Sequence, residues 1–185
     1  MKRLLLISAL SVLPATAAIA QECSTDFTST APNTRFIDNN NGTILDLKTN
    51  LTWMRCPIGK EWNQDKMTCD GTATGVYWQS ALNDVQAINK SPTNPLHKFG
   101  GKEEWRLPNI KELVSLKEAA CYHPAVNEKA FPGGFTYELG DTKVTLWSST
   151  PTGDGSQIML FDTANGDVRA QTTTMAEYGV LLVSQ

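Results

Sequence analysis

The sequence predicts a single exported domain of mixed helices and strands that is closed by two disulfides. Short strand-like runs alternate with helical patterns along the chain, and no segment repeats. Four cysteines all follow a secretory-type leader, which is the pattern of an exported protein. The part of the chain after that leader, residues 21–185, is long enough to bury one core and short for two domains.

The leader consists of the first twenty residues, "MKRLLLISALSVLPATAAIA". Lys2 and Arg3 precede an apolar run, and Ala18-Ile19-Ala20 provides a cleavage site with small residues at its first and third positions, which together are typical of a secretory signal peptide. We therefore predict a signal peptide at 1–20, a domain at 21–185, and a location in the periplasm or outside the cell.

The charge pattern argues against two classes of partner. The formal net charge of the whole chain is −3, and removal of Lys2 and Arg3 makes it −5. The remaining basic residues alternate with acidic ones, as in "GGKEEWRLPNIKE", which is typical of a solvated face. We expect no nucleic-acid partner and no anionic-membrane partner. After the leader, no segment is long and apolar enough to cross a bilayer.

The cysteines are the strongest covalent signal in the sequence. They are Cys23, Cys56, Cys69 and Cys121. An even number in an exported chain favours two disulfides, for which three pairings are possible. No C-x2-C pair occurs, and His97 and His123 are not at ligand spacing from any cysteine, so we expect no metal site.

One pairing is favoured by the local sequence. Cys56 and Cys69 flank the polar loop "CPIGKEWNQDKMTC", which has no apolar period and needs a staple to stay ordered. We therefore predict a Cys56–Cys69 disulfide. The remaining pair, Cys23–Cys121, then ties the N-terminal segment to the body of the domain.

The first element after the leader is a predicted hairpin, "TRFIDNNNGTILD". Phe36 and residues 44–45 are strand-like, and residues 38–42 are turn formers that tolerate a positive φ. The turn also resembles a calcium loop that starts at Asp38, but its twelfth position is Thr49 rather than a bidentate glutamate. A hairpin turn without calcium is therefore the favoured interpretation.

The next element is a predicted amphipathic helix in "GVYWQSALNDVQAINK". Its apolar residues recur at helical spacing: Trp78, Ala81, Leu82, Val85 and Ile88. The proline- and glycine-rich stretch "SPTNPLHKFGG" ends the helix.

A strand-to-helix corner follows at "WRLPNIKEL". Leu107 precedes a proline and is biased towards an extended backbone, so Trp105 and Leu107 share one face while Arg106 points the other way. Asn109 is a good N-cap, and Glu112 three residues later completes a capping box. The pattern predicts a structural corner.

Two further elements are predicted near the C-terminus. Asn165-Gly166 lies between two strand-like runs in "QIMLFDTANGDVRAQ", which is a strong hairpin signal. The continuous apolar run "YGVLLVS" predicts a buried strand.

In this order, the motifs resemble a known family, the exported bacterial domain named after the C-terminal region of the Legionella collagen-like protein. The matching pieces are "TRFIDNNNGTILDLKTNLTWMRC", "YWQSAL", "WRLPNIKELVSL", "CYHPAVNEKAFPG", "LWSST" and "IMLFDTANGDV", together with the Trp and Cys of "EWNQDKMTCDG". The resemblance implies an α+β, C-type-lectin-like fold of the formylglycine-generating-enzyme group, with N- and C-terminal strands in one sheet. Family members often end in a basic strand, whereas this chain ends "GVLLVSQ".

No motif for catalysis or for a cofactor is present. The chain has no G-x-S-x-G, H-E-x-x-H or phosphate loop. It lacks the E-P-N, Q-P-D and W-N-D runs of calcium-dependent lectins, and "CPIGK" lacks the C-x-P-x-R of formylglycine formation. We expect a non-catalytic binding module without a cofactor, adhesin-like or envelope-associated, for a protein or glycan ligand. The alternatives are an assembly partner of a larger surface complex and an enzyme with a dispersed site.

Two loops flanking the strand "TLW" form the first candidate ligand site. Tyr137 lies in "FPGGFTYELGD" and offers a stacking surface, while "STPTGDGSQ" supplies Ser149, Thr150 and Asp154 as polar partners. The glycine and proline content favours plain solvated turns, so a binding site is the alternative hypothesis.

Trp62 is the second candidate, because it lies in the polar loop between two cysteines. A large ring in a loop contacts a ligand or anchors the loop, and anchoring is the more common role. The other tryptophans are expected in the core: Trp53, Trp78, Trp105 and Trp147.

Overall fold

The structure is a computed structural model that describes residues 20–138 and 140–185. The predicted signal peptide lies outside the described residues apart from its last position. The described chain contains two α-helices and four sheets whose strands all pair antiparallel, so the α+β class is confirmed. The C-type-lectin-like arrangement stays a prediction.

The strands and helices of the described chain are numbered here in the order in which they occur in the sequence. The strands are β1 (Glu22–Cys23), β2 (Phe36–Asp38), β3 (Thr43–Asp46), β4 (Leu51–Met54), β5 (Lys60–Asn63), β6 (Thr68–Gly71), β7 (Cys121–Tyr122), β8 (Thr145–Pro151), β9 (Ile158–Asp162), β10 (Val168–Gln171) and β11 (Val183–Ser184). The helices are α1 (Trp78–Lys90) and α2 (Ile110–Ser115), and short 3-10 turns lie at Asn33–Arg35, Phe99–Gly101 and Thr142–Val144.

The largest sheet joins early and late parts of the chain in the order β11-β4-β3-β2. β2 and β3 form the predicted hairpin, and its turn places Asn40 and Gly42 at φ of 57° and 81°. A second sheet has the order β10-β9-β8, and β9 and β10 form the hairpin predicted around Asn165-Gly166. Both hairpin predictions are confirmed.

The segment 178–184 was predicted to form one buried strand, and its structure differs from that prediction in part. It is buried along its whole length, but only β11 is regular strand. Its backbone bonds successive partners in different elements: Tyr178 pairs with Val76, the Val180 carbonyl accepts from the Ile58 N–H at 2.9 Å, and Val183 pairs with Arg106. Because the partner changes every two or three residues, no long ladder forms.

Side chains of the same segment alternate between two hydrophobic clusters. Leu181 and Val183 belong to a cluster that also contains Trp53, Phe131 and Phe161. Val180 and Leu182 belong to a second cluster with Met54, Trp105 and Trp147. Burial on both faces explains why the sequence here is a continuous apolar run rather than an alternating one.

The core positions predicted for the tryptophans are confirmed for three of the four. Trp53, Trp105 and Trp147 are fully buried, and Trp78 is half-buried where α1 packs against the second cluster. α1 buries Ala81 and Ile88 as its apolar period predicted.

The strand-to-helix corner has the predicted geometry. Trp105 and Leu107 are buried, and the half-buried Arg106 pairs with Val183. Asn109 Oδ1 accepts from the Glu112 N–H at 3.0 Å, and Glu112 Oε2 accepts from the Asn109 N–H at 2.8 Å. The capping box of α2 is therefore confirmed. The Arg106 guanidinium also donates to both Glu112 oxygens at 2.8 Å, which fixes the carboxylate in its capping position.

Both predicted disulfides are present. Cys23–Cys121 crosses the β1–β7 ladder, and Cys56–Cys69 joins the chain after β4 to β6. The stretch between Cys56 and Cys69 was expected to be a loop, but it contains the β5–β6 hairpin. Met67 adopts a φ of 53° in the tight turn between the two strands. This stretch is therefore ordered by its turn and by backbone pairing, although its sequence has no apolar period.

Candidate functional site

A mainly apolar cleft of about 410 Å³ lies beside Trp62. We call it the Trp62 cleft and define it by Gly42, Met54, Ile58, Trp62, Leu96 and Phe99. This volume lies within the usual range of small-ligand sites, which are mostly apolar and concave. Of the five predicted ligand residues, Trp62 alone lines the cleft.

Two chain segments line the cleft, and we call them its walls. The segment 56–62 supplies Ile58 and Trp62, and the Cys56–Cys69 disulfide holds its first residue to β6. The segment 95–99 supplies Leu96 and Phe99. The sequence predicted this second segment only as a helix-ending break, and the structure folds it into successive tight turns, in which the Phe99 N–H donates to the Leu96 carbonyl at 3.1 Å.

The second wall is anchored to the body of the domain. His97 Nδ1 lies 2.8 Å from the Ile88 carbonyl at the end of α1. The Phe99 carbonyl accepts from the Trp105 indole N–H at 3.2 Å, and the Gly100 carbonyl accepts from Asn41 at 3.1 Å. Contacts to three separate elements therefore position the wall.

Gly42 lies between residues of the two walls. A Cβ atom at this position would lie 2.6 Å from the Phe99 ring and 3.0 Å from Trp62, and the φ of 81° also favours glycine. The turn residue of the β2–β3 hairpin thus has a second role, because it leaves the room into which both rings pack.

Arg55 fixes the indole of Trp62. Its guanidinium carbon lies 4.3 Å from the ring centroid, within cation–π range. The guanidinium also donates to Asp38 at 2.6 Å and to the carbonyls of Lys129 and Ala130 at 2.7 and 2.9 Å. Burial lowers the pKa of Arg55 and the Asp38 carboxylate raises it by less, so the net direction is down and the ion pair offsets only part of the cost of burying the cation.

The rim of the cleft carries one anchored cation and one exposed anion. Lys60 Nζ donates to the Gly133 carbonyl at 2.6 Å, and burial lowers the pKa of Lys60 while Asp141 and Glu138 raise it. Glu61 is exposed beside it. The rim therefore offers no strong field of one sign.

The candidate residues Ser149 and Thr150 lie against the strand-to-helix corner. The Ser149 N–H donates to the Pro108 carbonyl at 2.8 Å, and the Thr150 hydroxyl oxygen accepts from the Ile110 N–H at 2.9 Å. Ile110 is the first residue of α2, so Thr150 satisfies a backbone donor at the helix start.

Asp154 lies in an exposed turn that follows. Its Oδ1 accepts from the Thr152 hydroxyl at 2.6 Å and from the Ser156 N–H at 3.1 Å. Hydrogen bonds from Thr152 and then Ser156 lower the pKa of Asp154 to about 2. These contacts organise the turn itself.

Tyr137 is half-buried and stacks on His123, with ring centroids 4.1 Å apart and an angle of 14° between the planes. The neighbours of Tyr137 therefore differ from those of Ser149, Thr150 and Asp154, and a joint site of all four stays a prediction. The signals that sequence analysis missed are the isolated Ile58 in "CPIGK" and the pair Leu96 and Phe99 in a stretch treated as a break.

Within residues 20–138 and 140–185, no cluster of three or more His, Cys, Asp or Glu side chains is placed to hold a metal ion. In the same part of the chain, no helix has the length and apolarity needed to cross a membrane.

The family model of the Lcl C-terminal domain matches residues 42–184, which include both walls of the Trp62 cleft and most of the described chain. The chain belongs to the Lcl C-terminal domain family, as its motifs predicted. A comparison with curated proteins found no match, and a comparison with solved structures found none either.

Proposed function

We propose that this Lcl C-terminal domain is an exported, non-catalytic binding module whose ligand enters the Trp62 cleft. The observation that carries the proposal is the fixed indole of Trp62 in the wall of an apolar cleft of about 410 Å³. A rigid aromatic surface that is already oriented by Arg55 loses little conformational freedom when a ligand covers it.

The ionisable groups at the cleft support binding rather than catalysis. Lys60 is held by the Gly133 carbonyl, and Arg55 is engaged by Asp38 and two backbone carbonyls. Neither group has the hydrogen-bonded nucleophile–base geometry that acyl transfer or general base catalysis needs. A turnover assay on pooled glycan and peptide substrates tests this part of the proposal, and measurable turnover that Trp62→Ala abolishes would contradict it.

Export of the domain is supported by its covalent structure. All four cysteines are paired, and disulfides persist in oxidising compartments such as the periplasm and the extracellular space. We therefore place the binding module in the cell envelope or outside the cell, where the ligand is a protein or a glycan.

The binding site is tested by screening residues 21–185 on glycan and peptide arrays and then measuring affinity for the strongest hit. We expect Trp62→Ala to weaken binding roughly tenfold or more, since it removes most of the aromatic surface of one wall. Circular dichroism and urea unfolding establish that the variant is folded.

The competing site provides the matched control. We expect Tyr137→Ala and Asp154→Ala to bind with wild-type affinity when compared at equal stability. If Tyr137→Ala abolishes binding while Trp62→Ala leaves it unchanged, the ligand site lies in the loops around "TLW" and the proposal for the Trp62 cleft is wrong.

A further inference from the structure

Resting on the function proposed above, we infer that the occupant of the Trp62 cleft is an extended polypeptide segment. The segment pairs with the edge of β5 and inserts one uncharged apolar side chain into the cleft. The ligand class is thus a partner protein with an accessible strand, and not a glycan.

The position of the cleft along β5 points to a strand-like ligand. Lys60, Glu61 and Trp62 are consecutive and all border the cleft. Because successive side chains of a strand point to opposite faces, three consecutive lining residues mean that the cleft runs along the edge of β5. In the described chain β5 pairs with β6 on one side, and no residue of β6 lines the cleft. The Lys60 N–H donates to the nearby Pro57 carbonyl at 3.1 Å, so the backbone of Trp62 is the part of the edge that pairs with the ligand.

An edge strand beside a pocket is the arrangement by which proteins bind extended peptides. The peptide backbone pairs with the free strand edge and contributes affinity, while pockets for alternate side chains contribute specificity. A glycan could use the indole of Trp62 but not the backbone donors and acceptors of the edge in this regular way.

The walls of the cleft favour an apolar side chain over a sugar ring. Met54, Ile58, Leu96 and Phe99 provide no side-chain hydrogen-bond donor, and their contact would desolvate sugar hydroxyl groups without replacing their bonds to water. Burial of a leucine or phenylalanine side chain against the same surface is favourable.

The charges around Trp62 favour an uncharged side chain. The Arg55 guanidinium already occupies cation–π range of the indole, so a second cation in the cleft is repelled and finds a less electron-rich ring. An anionic side chain would be desolvated by the apolar walls and would meet the exposed carboxylate of Glu61 at the rim. The one cation of the rim, Lys60, already donates to the Gly133 carbonyl. Both signs of charge are therefore disfavoured.

The inference is tested with capped pentapeptides, Ser-Thr-X-Thr-Ser, in which X is leucine, phenylalanine, arginine or aspartate. Binding to ¹⁵N-labelled residues 21–185 is followed by the indole N–H signal of Trp62, assigned by its loss in Trp62→Phe, and by the backbone N–H signals of β5. We expect the leucine and phenylalanine peptides to shift both sets of signals and to bind roughly tenfold more tightly than the charged peptides. Methyl β-D-glucopyranoside and cellotriose serve as the glycan probes.

Backbone pairing is tested separately by N-methylation of the amide that follows X. We expect a loss of roughly tenfold in affinity, since the methyl group removes one ladder hydrogen bond and blocks close approach to the edge. Equal binding of the methylated peptide overturns the β5 pairing.

A cleft variant and a matched control complete the test. Ile58→Asp places a charge in the cleft wall and should abolish binding of the leucine peptide, whereas Phe27→Ala removes an apolar ring that is 68% exposed elsewhere and should not. A charge at Ile58 can also unfold the domain. The peptide-induced shifts of the Trp62 and β5 signals in the wild-type chain are therefore the decisive measurement. If no peptide shifts the Trp62 signal, or a glycan probe binds there more tightly, the inference fails. Binding of the glycan through Trp62 would leave the proposed function intact.

Discussion

Glu118 is a buried carboxylate that holds the N-terminal segment onto the domain. Its side chain accepts hydrogen bonds from the Ser29 hydroxyl and from the N–H groups of Thr30, Ala31 and Ala120. Burial raises the pKa of the carboxyl group, but these four donors outweigh burial and lower the pKa to about 2. The ionised form is therefore part of the folded structure.

The acid stability of the domain should depend on Glu118. Its folded pKa of about 2 lies below its ordinary value of 4.5, so its contribution is present above about pH 4.5 and is lost as the pH falls towards 2. This contribution is on the order of 3 kcal/mol. We expect Glu118→Gln to lower the free energy of unfolding by that order at pH 7 and to reduce its loss on acidification.

Urea unfolding at pH 7 and pH 3 measures this effect. The control is Glu128→Gln, which changes an exposed carboxylate. If the wild type and Glu118→Gln lose the same stability between pH 7 and pH 3, the carboxylate of Glu118 does not stabilise the folded state as described.

A second buried charge pair fixes the start of the largest sheet. Arg35 donates through two nitrogens to both oxygens of Asp46, and the two side chains are almost completely buried. Burial raises the pKa of Asp46, while hydrogen bonds from Arg35 and Thr49 lower it, and the net direction is down. Removing one partner of such a pair leaves the other buried and unpaired, which is the costly outcome.

At the scale of elements, α2 is too short to be stable by itself, because isolated helices below about 12 residues are marginal in water. It has six residues, and its first turn is closed by Asn109, Glu112 and the hydroxyl oxygen of Thr150. Leu113 then packs into the first hydrophobic cluster. The helix therefore depends on caps at its start and on core contacts along its buried face.

We expect Asn109→Ala to lower the free energy of unfolding by about 1 kcal/mol, because it removes the side-chain acceptor for the Glu112 N–H. Lys111→Ala changes an exposed residue of the same helix and should have little effect. Both variants should bind the ligand of the Trp62 cleft normally. Loss of binding by Asn109→Ala without loss of stability would identify the corner as part of a ligand site.

At the scale of the whole molecule, the two disulfides have different ranges. Cys56–Cys69 spans 13 residues of sequence and supports one wall of the cleft, whereas Cys23–Cys121 spans 98 and encloses more than half of the domain. In the chain-entropy model such loops contribute about 3 and nearly 5 kcal/mol, and less when one loop lies within the other.

Pairwise replacement of the cysteines by alanine should separate these effects. We expect the Cys23→Ala/Cys121→Ala variant to lose more stability in urea unfolding but to retain ligand binding at low temperature. The Cys56→Ala/Cys69→Ala variant should lose less stability and bind more weakly, since the β5–β6 hairpin is then free to move. If instead the Cys23→Ala/Cys121→Ala variant loses ligand binding and the Cys56→Ala/Cys69→Ala variant keeps it, binding in the cleft does not depend on the β5–β6 hairpin.

Much of the fold could be predicted because its signals are local. The β2–β3 and β9–β10 hairpins follow from turn residues between strand-like runs, and the corner follows from Asn109 and Glu112 at capping-box spacing. The disulfide pairing followed from one polar stretch between Cys56 and Cys69. Each signal lies within about fifteen residues of sequence.

The candidate site could not be predicted as a site, since its parts are distant in sequence. Gly42, Trp62 and Phe99 meet only after the hairpin turn, the β5 strand and the 95–99 wall have packed together. The cation beneath the indole is Arg55, which follows β4, and its partner Asp38 is the last residue of β2. Local sequence patterns do not report contacts between residues that are distant in sequence. Sequence analysis therefore singled out Trp62 only as a large ring in a polar loop.

The segment 178–184 has a consequence for how the domain is made. It contributes to both hydrophobic clusters and bonds Val76, Trp53 and Arg106, which lie far earlier in the chain. During synthesis, neither cluster is complete until this segment has left the ribosome, and pairing at such long sequence separation slows folding. The chain that precedes it therefore has no finished core by itself, and folding of the whole domain waits for these last residues.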